Sequence, residues 1–285
     1  MRSAVRFSVW ILAMTCLTSV TEARMGAVHS SLSDSKGQAA TPPAKPQNPL
    51  EIKAPGPGEE KAYKAFQHFQ GMPESGAAQK IQAGEDFLTK FPTTPYATYV
   101  YQYLTVAYIQ TGQVDKGLAT GEKAIQVNPQ DFRTMGVLGQ TIARTLTDSA
   151  PDAAAKLEKA ETYAKNAIAG VATWVKPDSM TDANFTGLKN EVLTMGHATL
   201  GLGAIHKSNF EGAIPDLQQA VDLGTNTDPT NYYLLGLANQ NSGRYDKAAP
   251  AFEKCAAVKG TNLTGTCVAL AEQAKQAAAQ AKPKS

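Results

Sequence analysis

The sequence has 285 residues, of which 42% are hydrophobic and 18% charged, and its formal net charge is +2. This is enough apolar content for a folded core, and the near-neutral charge argues against a nucleic-acid-binding protein or a polybasic membrane binder. The 45 alanines favour an all-α fold, because alanine is the strongest helix former, and no apolar run reaches the roughly 20 residues that a membrane-spanning helix needs.

The first segment has the three parts of a secretory signal peptide. Arg2 and Arg6 supply a positive start, a mostly apolar stretch follows at 7–20, and small residues occupy the −3 and −1 positions of a cut after Ala23. We expect residues 1–23 to be removed on export. The alternative is an uncleaved membrane anchor, for which the apolar stretch is short.

The next segment, residues 24–57, is predicted to be a disordered tether. It has six prolines between positions 42 and 57, together with scattered Ser, Gly and Lys residues. Such a composition cannot bury enough apolar surface to offset the entropy lost on ordering. We expect a flexible, partly extended chain that leads into a folded domain at 58–282.

A repeated helical pair fills that domain, and its clearest copy lies at 232–258. Apolar residues recur there at spacings of three and four in two halves, and the turn between the halves contains Gly243. Gly236 and Ala248 are small where two helices must approach, and Phe252 is large enough to fill the space beside them.

The same spacing recurs upstream, preceded by a degenerate first pair at 59–92. Matching positions are Tyr101, Leu104, Tyr108, Gly112, Gly117 and Ala124 in the second unit, Leu138, Gly139, Ile142, Ala160, Ala164 and Ala167 in the third, and His197, Leu200, Gly201, Ala204, Ala213, Leu217 and Ala220 in the fourth. We expect a long loop at 145–157 inside the third unit and a long connection at 178–195 before the fourth.

This pattern resembles the tetratricopeptide repeat family over about residues 59–260, and most closely at 98–131 and 229–260. The Leu-Gly pair, the turn glycine, two alanine positions and a closing proline carry the resemblance, although the third and fourth units lack the proline. Residues 91–118 are similar to the repeats of bacterial envelope proteins. The resemblance implies an all-α, right-handed solenoid of about five helical pairs.

One more helix, at 263–281, is predicted to cap the solenoid with a polar outer face. Cys255 ends the last pair and Cys267 begins the cap, and each lies six residues from Thr261 in the turn between them. Positions equidistant from the turn of a helical hairpin face each other, so we expect a disulfide in an exported protein. The alternative is that Cys255 is only the small residue of its repeat position and Cys267 is a buried thiol.

No motif for catalysis or metal binding is present in the sequence. It contains no HExxH, GxSxG, CxxC, EF-hand or P-loop pattern. His197 and His206 are nine residues apart on one predicted helix, so at about 100° per residue they point to opposite faces and cannot share a metal ion. We therefore expect a protein that is not an enzyme and has no cofactor or metal, with a cryptic enzyme as the less favoured alternative.

The resemblance implies a different kind of site, a concave groove lined by the first helix of each pair that holds a peptide or a partner helix. Transferred position by position, the groove consists of Tyr99, Gln102, Tyr103, Val106, Gln110, Arg133, Gln140, Arg144, Thr199, Leu202, His206, Tyr233, Leu237, Gln240 and Asn241. Aromatic rings and guanidinium groups are typical of binding hot spots, and amides hydrogen-bond extended backbones.

Two observations limit this interpretation of the groove. Tyr99 and Tyr103 also suit a purely structural role, packed against the neighbouring repeat. The carboxylate clamp of chaperone-tail-binding family members is absent, because Gln102, Val106, Arg133 and Val137 occupy the corresponding positions.

Together these features predict an exported, periplasmic or extracellular scaffold or adaptor with a protein or peptide partner, active within an envelope complex. The near-neutral charge predicts no nucleic-acid partner, and no membrane-spanning segment is expected in the mature chain. The alternative function is a structural role in contact with the cell wall.

Overall fold

The computed structural model describes residue 52 and residues 54–73, 76–224 and 228–281. The predicted signal peptide and most of the predicted tether lie outside these residues. The described part contains eleven α-helices and no strand. The helices are α1 (Glu60–Gln70), α2 (Ala77–Lys90), α3 (Ala97–Gln110), α4 (Val114–Val127), α5 (Phe132–Thr145), α6 (Ala153–Val171), α7 (Asp182–His206), α8 (Phe210–Leu223), α9 (Pro229–Asn241), α10 (Tyr245–Ala257) and α11 (Thr264–Ala281).

Each helix packs against the next along the chain, so α1 to α10 form five pairs and α11 covers the last of them. The main contacts between non-consecutive helices join α3 with α5, α5 with α7, and α7 with α9. The first helices of successive pairs therefore form one inner layer. The predicted all-α solenoid of five helical pairs with a capping helix is confirmed.

The last pair shows why the small and large residues of the repeat alternate. A Cβ atom added to Gly236 on α9 would lie 2.5 Å from the Phe252 ring on α10, so only glycine fits there. Gly243 turns the chain between these helices with a φ of 74°, a conformation that side chains with a Cβ rarely adopt. The helix α9 starts at Asp228, whose carboxylate accepts a hydrogen bond of 2.9 Å from the Thr230 amide.

The predicted long connection at 178–195 is wrong, because α7 already begins at Asp182 and runs for 25 residues. The Thr181 hydroxyl caps it by accepting a hydrogen bond of 3.2 Å from the Asn184 amide. Val192 and Met195 are buried in the added turns, against α5 and α6. The extra length is thus held by a normal helix cap and an apolar face.

The predicted loop at 145–157 is also shorter than expected. The helix α6 begins at Ala153, and Leu157, which the sequence analysis placed in the loop, is buried on its first turns. Three successive alanines start this helix, and their high helix propensity accounts for its early beginning.

The two ends of the solenoid have different cores. Around α1 to α3 the core is aromatic, with Phe66, Phe69, Phe87, Tyr96 and Tyr108 buried together. Around α10 and α11 it consists mainly of alanine, at 248, 249, 271 and 274, packed about Phe252.

The cap is joined to the last pair covalently in this structure. Cys255 on α10 and Cys267 on α11 form a disulfide with their Cα atoms 5.9 Å apart, and both residues are fully buried. Among the described helices, none has the length and apolar character needed to cross a membrane.

Candidate functional site

A cavity of about 710 Å³ opens beside the inner layer at the first end of the solenoid. Six of its lining residues are groove positions transferred from the family resemblance: Tyr99, Gln102, Tyr103, Val106, Gln110 and Arg133. The remaining lining residues are Ile52, Gln70, Ala77, Lys80, Ala107, Met180 and Leu188. The cavity therefore brings together segments that are far apart in the sequence.

The helix α3 supplies six of the thirteen residues that line the cavity, more than any other helix. Val100, Leu104 and Tyr108 are buried in the aromatic core. Tyr99 and Tyr103, one turn apart, are half-buried: they pack against the edge of that core and also line the cavity. The two tyrosines therefore connect the aromatic core with the cavity.

The inner part of the cavity contains a buried lysine above aromatic rings. The Lys80 ammonium lies 4.0 Å from the centre of the Tyr103 ring and 5.8 Å from that of Phe69. These two rings meet edge to face, with their centres 5.4 Å apart. Lys80 is only 5% exposed, and no ion pair joins it to any carboxylate of the described residues. The rings attract this cation through their π faces.

The other cation of the cavity, Arg133, is already paired. Its Nη2 atom lies 2.9 Å from the Glu191 Oε1 atom on α7, and both side chains are about half exposed. Arg133 thus sits at the rim and links α5 to α7. An exposed pair of this kind contributes about 0–1 kcal/mol to stability.

A buried carboxyl group lies behind the cavity wall. Asp131 is 2% exposed and caps α5 by accepting a hydrogen bond of 3.1 Å from the Thr134 amide. Burial raises the pKa of Asp131, while Thr134 and the nearby Gln102 amide oppose that rise. The Gln102 side chain of the wall therefore lies next to a buried carboxyl group.

Comparison with known proteins agrees with this architecture. A family model described as tetratricopeptide repeat matches residues 229–262, the last helical pair and the turn that follows it. This stretch of the chain is therefore a tetratricopeptide repeat. No curated protein sequence matches it.

Two solved structures share the fold of this chain. PilW, a widely conserved type IV pilus biogenesis factor, is 14% identical; the match covers 78% of this chain and 92% of that chain, with a TM-score of 0.51. PilF of Pseudomonas aeruginosa is 15% identical, with 78% and 89% covered and a TM-score of 0.52. At these identities the likeness shows a common repeat fold.

Further along the inner layer, the predicted groove residues do not line this cavity. Arg144 bonds to Asp228 at the start of α9, with 2.5 Å between Nη2 and Oδ2. Burial would raise the pKa of Asp228, but the Arg144 guanidinium and the Thr230 hydrogen bonds hold it below its usual range. Gln140 is half-buried on α5. Arg144 therefore connects repeats of the solenoid.

Thr199 corrects the predicted groove, because it lies inside the protein. It is 1% exposed, and its hydroxyl donates a hydrogen bond of 2.8 Å to the Met195 carbonyl. Its methyl group would be 3.4 Å from a Cβ added to Gly139 on α5. The close approach of α5 and α7 at that glycine leaves Thr199 no access to a ligand.

The last repeat presents a mixed set of predicted groove residues. Tyr233 is half-buried, with its ring centre 6.3 Å from that of Phe252. The Gln240 side-chain oxygen is buried and has no hydrogen-bond partner among the described residues, and the exposed Asn241 amide donates to the Leu237 carbonyl at 2.8 Å. Leu237 packs against the alanine core. Tyr233 therefore packs against the core of the last pair.

The two histidines of α7 have separate partners. His206 lines a second cavity of about 450 Å³, with its Nδ1 atom 2.6 Å from Asp148 and its Nε2 atom 3.0 Å from the Ala143 carbonyl. The Nδ1 atom of His197 lies 2.8 Å from Asp216 on α8. Within the described ranges, no group of His, Cys, Asp and Glu is arranged to hold a metal ion.

The sequence analysis missed seven lining residues of the main cavity: Ile52, Gln70, Ala77, Lys80, Ala107, Met180 and Leu188. Lys80 belongs to the second helix of a pair, a helix that the family resemblance leaves out of the groove. Leu188 follows Phe185 and precedes Val192 at helical spacing, and this pattern was the available signal for the early start of α7.

Proposed function

We propose that this protein binds a peptide or a short stretch of partner helix in the cavity between α2, α3, α5 and the first turns of α7. Its fold is that of a protein-interaction scaffold. The observation that carries the specific proposal is the lining of that cavity, where two tyrosines, three glutamines and two cations surround one space. These are residue types that dominate binding energy at protein interfaces or hydrogen-bond a partner's backbone.

The size of the cavity supports this proposal. A volume of about 710 Å³ lies in the range of about 300–1,000 Å³ that is typical of ligand sites. Tyr99 and Tyr103 offer ring faces for apolar side chains, while Gln102 and Gln110 offer amides. Because repeat proteins of this kind act by binding, we further propose that the function is non-catalytic.

We also propose that the protein is exported to the periplasm or the cell exterior and works within an envelope complex. The signal-peptide features of residues 1–23 support this location. The pairing of Cys255 with Cys267 supports it as well, since structural disulfides persist in oxidising compartments. N-terminal sequencing of the protein from its native cells should begin at Arg24, and an intact Met1 would contradict cleavage.

Site-directed photocrosslinking in the native cells tests the binding site. A photoreactive phenylalanine analogue in place of Gln110, exposed at the cavity, should give a discrete crosslinked product with a protein. The same analogue in place of Lys123, exposed on α4 and outside the cavity, serves as the matched control.

The proposal is wrong if both positions give the same products, or if neither gives one. A product at position 110 that muramidase digests would instead indicate contact with the cell wall. Purified complexes from the Gln110 variant would identify the partner by mass spectrometry.

A further inference from the structure

We infer that Lys80 is the recognition point for an acidic side chain of the bound segment. This inference rests on the proposed peptide-binding function and specifies the chemistry of its ligand. The occupant is a segment of a partner protein in which an Asp or Glu residue stands next to an apolar residue. The carboxylate contacts the Lys80 ammonium, and the apolar neighbour packs on the tyrosines of α3.

The first argument is the environment of the ammonium group. Lysine is almost never fully buried unless it is paired, yet Lys80 is 5% exposed and has aromatic rings as its neighbours with no ion pair in the described part of the chain. Other lysines that approach carboxylates do so directly, as Lys159 does with Glu122 and Lys207 with Glu161. Lys80 is thus a desolvated cation that retains its capacity to bind an anion.

The second argument is the charge balance of the cavity. Its lining includes Lys80 and Arg133, and no Asp or Glu is among the described lining residues. Glu191 pairs with Arg133 at the rim, so among the described residues that line the cavity the Lys80 charge has no carboxylate partner. A ligand with one carboxylate removes this imbalance, and a charge-assisted hydrogen bond in such a site is stronger than a neutral one.

The third argument is the start of α2, which reaches the same cavity. Ala77, its first residue, lines the space, and the preceding Gly76 makes no side-chain cap. The amino-terminal end of this 14-residue helix carries a partial positive charge that favours anions. The buried ammonium and the start of this helix therefore both favour a negatively charged ligand.

The position of Lys80 along the wall distinguishes an internal acid from a chain terminus. Its ammonium lies over Tyr103, and the lining face of α3 continues one turn before it, to Tyr99, and two turns beyond it, to Gln110. A bound segment in contact with the whole wall thus extends on both sides of the ammonium. The carboxylate must then come from a side chain within the segment.

A peptide-display selection on the full exported chain provides the probe. We expect a library of random 12-residue peptides to yield binders that share an Asp or Glu beside an apolar residue. Affinities of one selected peptide, and of the same peptide with its acid changed to the amide, are then measured by calorimetry. The protein variants are Lys80→Met, Lys80→Arg, Tyr103→Ala and the matched control Lys90→Met on the exposed side of α2.

Lys80→Met should weaken binding about tenfold or more, as expected for loss of a hydrogen bond between charged groups. The amide peptide should bind wild-type protein about tenfold more weakly than the acid peptide does. Its affinity for Lys80→Met should equal its affinity for wild-type protein, because the contact is already lost. The affinity of Lys80→Arg for the acid peptide should stay within a few-fold of that of wild type. The affinity of Lys90→Met should equal that of wild type. Circular dichroism confirms that each variant is folded.

Other outcomes separate the inference from the function on which it rests. If Tyr103→Ala loses binding while Lys80→Met does not, the cavity binds peptides but the assignment of Lys80 is wrong. If amidation of the peptide's C-terminus weakens binding and the change of its acidic side chain to the amide does not, the carboxylate is terminal. The side-chain assignment is then wrong. If no peptide is enriched, or neither variant affects binding, both proposals fail.

Discussion

The two ends of this solenoid use the same helical pair and fill it differently. At the first end, α1 to α3 meet through large rings, among them Phe66, Phe69 and Tyr103. At the last end, α9 to α11 approach through Gly236 and a set of alanines, and a disulfide joins the outer two helices. The first end has the main cavity, and the last end is closely packed.

This difference shows how a repeat fold makes room for a ligand. Small residues allow helix backbones to approach and leave no space between them. Aromatic residues keep helices apart: α1 meets α3 through the rings of Phe69 and Tyr103, whose centres are 5.4 Å apart. The binding surface therefore forms where large side chains replace the small ones.

Removal of one ring from the aromatic end should have the largest effect. Phe66 is 0% exposed and stacks on Tyr96, with ring centres 5.1 Å apart. Phe66→Ala should lower the free energy of unfolding by about 3–5 kcal/mol, because it removes buried area and leaves a cavity. Urea denaturation measures this loss. His68→Ala, on the exposed side of the same helix, should change stability by less than about 0.5 kcal/mol.

At the other end, the disulfide should matter nearly as much. The double variant Cys255→Ala, Cys267→Ala opens a loop with a sequence separation of 12, so stability should fall by about 3 kcal/mol in the chain-entropy model. Hydrogen exchange should quicken mainly in α11. Reductant should destabilise the wild type and leave the double variant unchanged. Labelling of two free thiols, without reductant, in protein purified from an oxidising compartment would contradict the bond.

A matched pair of tyrosines sharpens the comparison at the level of function. Tyr103 lines the cavity, whereas Tyr233 is packed against Phe252. Tyr103→Ala should weaken peptide binding by roughly 1 kcal/mol or more. Tyr233→Ala should leave that binding unchanged and lower stability by roughly 1–3 kcal/mol. Calorimetry and thermal unfolding of both variants measure the two effects; a loss of stability without a loss of binding in Tyr103→Ala would assign that ring to the core.

The smallest expected effect concerns the ion pair between α5 and the start of α9, Arg144 with Asp228. Asp228→Asn keeps a good helix cap but removes the charge, so stability at pH 7 should fall by less than about 1 kcal/mol. Because the pair lowers the pKa of Asp228 in the folded state, its contribution is present above the unfolded aspartate pKa of about 3.9 and is lost as the pH falls further.

Denaturation of wild type and Asp228→Asn across pH should show that the difference between their free energies of unfolding disappears at acid pH. Arg144→Met should add no further loss in the Asp228→Asn background. An equal difference at every pH would show that the effect comes from the helix cap and not from the ion pair.

The helical pairs were predictable because their small and large residues recur at fixed spacing. The early start of α7 was not, since Phe185 and Leu188 lie outside the repeat pattern that guided the interpretation. For the candidate site, transfer along first helices found Tyr99 and Gln110 but missed Lys80, which reaches the cavity from a second helix. Transfer also misplaced Thr199, because it assumes equal spacing between all inner helices.

The length of α7 has a mechanical consequence. At 1.5 Å per residue, its 25 residues make a rod of about 37 Å. Leu188 near one end touches the cavity, while Leu202 and Ile205 near the other pack into the core shared by α8 and α9. One continuous helix therefore connects the wall of the cavity with the core around α8 and α9, on the other side of the solenoid's middle.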